Sequence, residues 1–236
     1  MPSATVRAAL PLFTWQKVEE TSPAAGTAAL MLWVALRFMA EKVLDESSVH
    51  YWVSAASYDE LGKATSLSRS LIAQGLKRLE ALQLITPEGT SQKRRYRLRW
   101  EKDGWFKLPC QAIVSDGVII PFRSFSLRSK HELHALKLYL YLASVRDNRA
   151  AHSVAAYETI WRSIGIPERD IPKAINVLNT SGLTARVVRD HDMGANMYGP
   201  NKYFLTGYRG MFMGPDSAPG ATPAAATEKS LEELLR

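Results

Sequence analysis

Apolar residues recur with a helical period in two short runs between Tyr58 and Leu82, and the break between them falls on Ser66 and Leu67. In the first run Tyr58, Leu61 and Ala64 make one stripe, and Ser57 stands where a helix cap is needed. The second run, opened by Ser68 as cap and extending to Leu82, has Ile72, Leu76 and Leu79 on one face and Arg69, Ser70, Gln74 and Lys77 on the other. The spacing predicts helix, tight turn, helix. Upstream, Ala28 to Leu44 is apolar almost all round until Arg37, which predicts a buried helix with a charged, solvent-facing end at Glu41 to Glu46. His50 to Ser54 reads as a strand. Downstream, Ile85-Thr86, a Pro87-Glu88-Gly89 turn and the run from Lys93 to Trp100 predict a β-hairpin. In it Tyr96, Leu98 and Trp100 point inward and Arg95, Arg97 and Arg99 outward.

The same order returns 99 residues later. Tyr58, Leu79 and Leu84 align with Tyr157, Leu178 and Leu183, and Leu61, Leu67, Ile72 and Leu76 meet Ile160, Ile166, Ile171 and Ile175. An apolar helix from Glu132 precedes this copy, and strands over Ala185–Val188 and Lys202–Leu205 follow it. Asp116-Gly117, between two branched apolar runs, is a hairpin signal in the connection. The expected plan is therefore a flexible arm over 1–26, pinned by the apolar patch from Leu10 to Trp15, and a first domain over 27–106. A linker with a hairpin over 107–128, a second domain over 129–210, and a flexible tail over 211–236 with a short helix at its end complete it. The fold class is mainly α with small β-hairpins, an α+β arrangement.

Charge sharpens this picture. The chain of 236 residues carries a formal charge of +7, which favours an anionic partner. Between Ser57 and Trp100 nine Lys or Arg face four Asp or Glu, whereas from Ser153 to Thr206 the count is six against five. The single cysteine, Cys110, excludes an internal disulfide and a Cys-rich zinc site, and fits a reducing cytoplasm. The nine-residue run from Ala28 to Leu36 is too short to span a bilayer, so no membrane association is expected. No metal, cofactor or catalytic activity is expected either. His131 and His134 have the wrong spacing for a zincin and read as surface histidines, and Asp190-His191-Asp192 reads as a polar turn tip. Cys110 reads as a small buried residue rather than a nucleophile.

The order helix, strand, helix, turn, helix, hairpin, together with the run LSRSLIAQGLKRLEALQLI, resembles the winged-helix domain, twice over: from about Thr27 to Phe106 and again from about Val118 to Gly210. Tandem winged-helix proteins of bacterial, plasmid or mobile-element type are the nearest comparison. Ser66 departs from the family's usual glycine at the turn, while Gly165 keeps it in the second copy. The resemblance implies that the helix from Ser68 enters a major groove of double-stranded DNA while the wing lies on the backbone. Arg69 and Gln74 would then meet guanine and adenine edges, with Ser70 on the same face, and Ser68, Lys77 and Arg78 would hold phosphates. Lys93, Arg94, Arg95, Arg97 and Arg99 in the wing would supply affinity that falls with salt. In the second copy Arg169 and Lys173 are the secondary candidates. Pro172, aligned with Ala73, predicts a shorter helix capped by Asp170. The implied role is a transcriptional regulator, with a plasmid-type replication initiator as the alternative. A winged-helix protein-interaction module is a third class. Further partners are a second copy of the chain and a protein docking on the leucine-bearing tail.

Overall fold

A computed structural model describes residues 1–17, 21–44, 50–89, 94–99, 104–147, 150–188 and 200–208. It shows a mixed α/β protein in which helices carry three small antiparallel sheets. In chain order the first half contains α1 (Ser3–Ala9), α2 (Ala25–Phe38), β1 (Glu41–Leu44), β2 (His50–Ala55), α3 (Tyr58–Thr65), α4 (Arg69–Ala81), β3 (Ile85–Glu88) and β4 (Arg95–Leu98). The second contains α5 (Cys110–Ile113), β5 (Val114–Ser115), β6 (Val118–Ile119), α6 (Lys130–Val145), β7 (Ser153–Ala155), α7 (Tyr157–Ile164), α8 (Ile171–Ser181), β8 (Thr184–Val188) and β9 (Asn201–Leu205).

Why α2 is apolar all round is evident from its neighbours: it packs against α3, α4 and α6, and every residue from Ala25 to Leu36 is buried. It stops at Phe38, six residues short of the expected end. Glu41 to Leu44 form β1 instead, paired antiparallel with β2 in the register Glu41↔Val53 to Leu44↔His50. Beyond Phe38 a helix would have no core to face, whereas the extended chain gains a ladder along the edge of β2.

The two helices after β2 start where their serines stand. Ser57 and Glu60 form a capping box: the Ser57 N–H donates to the Glu60 carboxylate at 2.7 Å and the Glu60 N–H to Ser57 Oγ at 3.2 Å. Ser68 Oγ accepts from the Leu71 N–H at 3.3 Å and opens α4. Between them Ser66 takes a left-handed conformation, φ 62° and ψ 20°, which Gly165 adopts at the matching place after α7. α4 crosses α2 closely. A Cβ on Gly75 would stand 2.6 Å from Leu32 Cδ1 and 3.1 Å from the backbone of Ala28 and Ala29.

The first sheet has the order β1-β2-β4-β3 and the sheet of the second half the order β7-β9-β8. Leaving out β1, the two follow one plan, in which the last strand lies between the other two. Asp116 and Gly117, both at positive φ, turn β5 into β6. α6 is opened by a Ser129–Glu132 capping box. One apolar core runs through both halves, with α2 against α6.

The N-terminal residues are part of that core, which corrects the expectation of a flexible arm. Val6, Ala9, Leu10 and Phe13 are buried, α1 packs on α6, and the Phe13 ring stacks on Trp33 with centroids 6.2 Å apart. Their spacing of three to four residues is a helical stripe, masked in the sequence by the surrounding Pro, Ala and Ser. Lys137, itself buried, donates to the Phe13 carbonyl at 3.2 Å. Among the described residues no helix is long and apolar enough to cross a membrane. The expected tail over 211–236, with its terminal helix, lies outside them.

Candidate nucleic-acid interface

The face that α4 turns away from α2 follows from its buried one. Ile72, Gly75, Leu76 and Leu79 are buried, so Ser70, Ala73 and Lys77 point outward and are exposed, with Arg69 beside them at the helix start. Arg69 Nη2 lies 2.7 Å from Asp59 Oδ1 of α3, and both side chains are three-quarters or more exposed. Such a pair in water is worth little and exchanges readily for another anion. Ser68 spends its hydroxyl on the helix cap.

Gln74 and Arg78 are placed differently from the other candidates. Gln74 Oε1 accepts from the N–H of Ser22 at 2.8 Å and from its hydroxyl at 3.0 Å, and its amide donates to Ser70 Oγ at 3.2 Å. Arg78 donates to the Leu12 carbonyl at 3.3 Å and to Thr14 Oγ1 at 3.4 Å. Both therefore hold Leu12, Thr14 and Ser22 to the flank of α4. Nothing in the sequence around α4 signals this, because the partners lie far away along the chain.

In the hairpin the expected alternation is present: Tyr96 and Leu98 are buried while Arg95 and Arg97 are exposed on the opposite face. The guanidinium of Arg97 sits 4.2 Å from the centroid of the Tyr51 ring and 3.9 Å from Glu88. That of Arg94 lies 4.9 Å from the Tyr58 ring centroid and donates to the Tyr58 hydroxyl at 2.9 Å. These ring contacts leave the cations exposed while fixing their direction. The exposed Arg99 accepts at its carbonyl from the Arg37 guanidinium. Lys93 and Trp100 lie outside the described residues.

Between α4, the start of α3 and the hairpin is a cup of about 370 Å³, with Lys77, Arg94, Glu80 and Glu88 as its charged residues. The second half repeats it at about 300 Å³. There Tyr157, Pro172, Ile175, Asn176, Asn179 and Val187 each stand 99 positions after Tyr58, Ala73, Leu76, Lys77, Glu80 and Glu88 of the first. The repeat thus extends to surface shape. Its chemistry does not: Asn176 and Asn179 replace a lysine and a glutamate.

Arg169 and Lys173 are both exposed near the start of α8, as the sequence suggests. Asp170, expected to cap that helix, does not. Its backbone is already helical and its side chain makes no capping bond. Instead its buried carboxylate accepts from Lys130 Nζ at 2.7 Å and lies 3.8 Å from His134 Nδ1. The Lys130 bond holds the Asp170 carboxyl below its ordinary range. Burial, followed by the Lys137 charge, pushes His134 down to about 4. His131, His134 and Asp170 bring ligand-type atoms within 4.8 Å of one another, and the histidines are half-buried rather than on the surface as expected. Lys130, bonded to the one carboxylate, supplies its counter-charge. Pro172 sits in the first turn of α8, where a missing N–H costs nothing. The Asp190-His191-Asp192 turn lies outside the described residues.

No protein-family model matches the chain, and no curated protein and no solved structure gives a significant match to it.

Proposed function

We propose that the chain is a tandem winged-helix protein that binds double-stranded DNA, with α4 in the major groove and the β3–β4 hairpin on the adjacent backbone. The observation that carries this reading is the cup on one side of the first half, where Ala73 and Lys77 of the outward α4 face stand beside Arg94 of the hairpin, with the exposed arginines of β4 on the hairpin's other face. A helix face with Arg69, Ser70 and Lys77 suits base edges and phosphates, and a row of guanidinium groups beside it suits a polyanion. Within this reading Arg69 is the base-reading residue, and Gln74 and Arg78 position the N-terminal segment. No catalytic step belongs to it.

The biological role that fits is transcriptional regulation, with the basic half as reader and the nearly neutral half as packing partner. A second reading, an initiator of plasmid-type replication bound to repeated sites, is favoured by one observation: the second half keeps the strand order and the cup of the first. The test is duplex binding against salt, followed by mapping of bound sites in the source genome. Binding at low salt that weakens steeply as salt rises is expected. Absence of binding at low salt, or affinity unchanged when Arg95, Arg97 and Arg99 are made neutral, rules the reading out. A promoter-proximal site marks a regulator and an array of direct repeats an initiator.

A further inference from the structure

Away from that face, the packing of α6 against α8 brings three side chains with metal-ligand chemistry together from two places in the chain. His131 and His134 stand three residues apart near the start of α6, a spacing that puts both rings on one side of the helix. Asp170, immediately before α8, meets that side: its Oδ2 lies 3.8 Å from His134 Nδ1. One ligand-type atom from each residue lies within 4.8 Å of the other two. Around a tetrahedral zinc ion with bonds of about 2.0–2.1 Å, neighbouring ligand atoms stand roughly 3.4 Å apart, so small side-chain rotations close the set.

Packing alone does not account for two features of this cluster. The Nδ1 atoms of both histidines are sealed from solvent and have no hydrogen-bond partner among the described residues. A buried ring nitrogen left unbonded costs free energy, and a metal ion is a partner that satisfies it. The second feature is Lys130, whose Nζ lies 2.7 Å from Asp170 Oδ2. A cation therefore already stands against the carboxylate oxygen that His134 approaches. The Lys130 side chain is 42% exposed, and its flexible four-carbon stem can swing into water and leave that oxygen to a metal. Lys137, buried against the Phe13 carbonyl, and Lys173, exposed in the first turn of α8, place further positive charge near the rings, which holds the affinity for a divalent cation to a moderate value.

We propose that His131, His134 and Asp170 form a zinc site that clips α6 to the start of α8, with water in the fourth position and Lys130 as the cation that zinc displaces from the carboxylate. Two imidazoles and one carboxylate suit zinc, whereas calcium and magnesium take sets of oxygen ligands. The proposal does not rest on duplex binding and is tested without DNA.

The full chain is treated with a chelator, exchanged into chelator-free buffer and titrated calorimetrically with zinc chloride. One equivalent is expected to bind with a Kd of about 1–10 μM. Cobalt(II) in place of zinc is expected to show the strong visible absorption of a four-coordinate ion rather than the faint bands of the aqueous one. His131→Asn and His134→Asn are each expected to weaken zinc at least about tenfold. Lys130→Met, at a part-exposed position outside the ligand set, is expected to tighten it at least about threefold by removing the competing ammonium. That variant keeps both rings and the carboxylate, so it tests the site even where a histidine variant fails to fold. Absence of zinc binding up to about 1 mM, or an equivalent bound undiminished by His131→Asn and His134→Asn together, overturns the site. Unchanged or weaker binding by Lys130→Met overturns the displacement of Lys130 by the metal.

Discussion

Ser66 is a non-glycine residue in a left-handed conformation, held there by the turn between α3 and α4. The crowding of its Cβ costs about 1 kcal/mol. Ser66→Gly is therefore expected to raise the urea midpoint by an equivalent of up to about 1 kcal/mol, because relief of strain outweighs the added freedom of the unfolded chain. Gly75→Ala should act oppositely. Its new methyl would meet Leu32 and the α2 backbone, and a loss of about 1–3 kcal/mol is expected in the same measurement. His134 makes stability depend on pH. Its imidazole protonates near 6.5 in the unfolded chain and near 4 in the folded one. Between those values the unfolded state binds more protons, so stability falls as pH drops through the window, by on the order of 2 kcal/mol. Asp170, held below its ordinary range, adds a further loss only at lower pH. His134→Asn is expected to flatten denaturant midpoints between pH 6.5 and 4; an unchanged slope would show that burial of this ring is not its source.

For α4, one flank and the outward face carry different assignments that substitution can separate. Gln74→Ala removes bonds to Ser22 and is expected to cost about 1 kcal/mol of stability and to speed proteolysis near residue 22, with duplex preference unchanged. Arg69→Ala breaks only an exposed ion pair, so stability should hold while any base preference relaxes by about 1–3 kcal/mol. If Gln74→Ala alters base preference as Arg69→Ala does, the division of the helix is wrong. The sequence made one part of this legible and not the other. Ser57, Ser68, the Ile72-Leu76-Leu79 stripe and the Arg95-Tyr96-Arg97-Leu98 alternation can be read directly, because caps and periodicity depend on neighbours within a turn or a strand. Gln74 and Arg78 look like the rest of the polar face, since what distinguishes them lies 52 and 66 residues away. β1 was hidden by continuity with α2, whose end is set by where the core stops rather than by any breaker. α1 was hidden by composition, although Val6, Leu10 and Phe13 kept a helical spacing.

At the scale of the molecule, the two halves share a core through α2 and α6. Calorimetry is accordingly expected to show one cooperative transition, with equal calorimetric and van't Hoff enthalpies, where two independent domains would melt in two steps. Salt should report the contact surface. Each arginine removed from the hairpin is expected to lower the slope of log affinity against log salt by about one, so the pair Arg95→Gln and Arg97→Gln should lower it by about two. The 99-residue repeat was visible as a pattern of apolar positions, yet the asymmetry of the two cups rests on single polar exchanges, Lys77 to Asn176 and Glu80 to Asn179, that periodicity does not register.

The anchoring of the N-terminal segment also fixes an order of events at synthesis. Trp33, Arg78 and Lys137, which receive the Phe13 ring and the carbonyls around it, leave the ribosome after Phe13, over the next 124 residues. At about 5–20 residues per second the last of them appears some 6–25 seconds later. Through that interval Leu10, Phe13 and Trp15 are exposed apolar residues on a growing chain, a target for a chaperone that recognises short aromatic segments. The segment around Phe13 thus completes its packing only after Lys137 has been made.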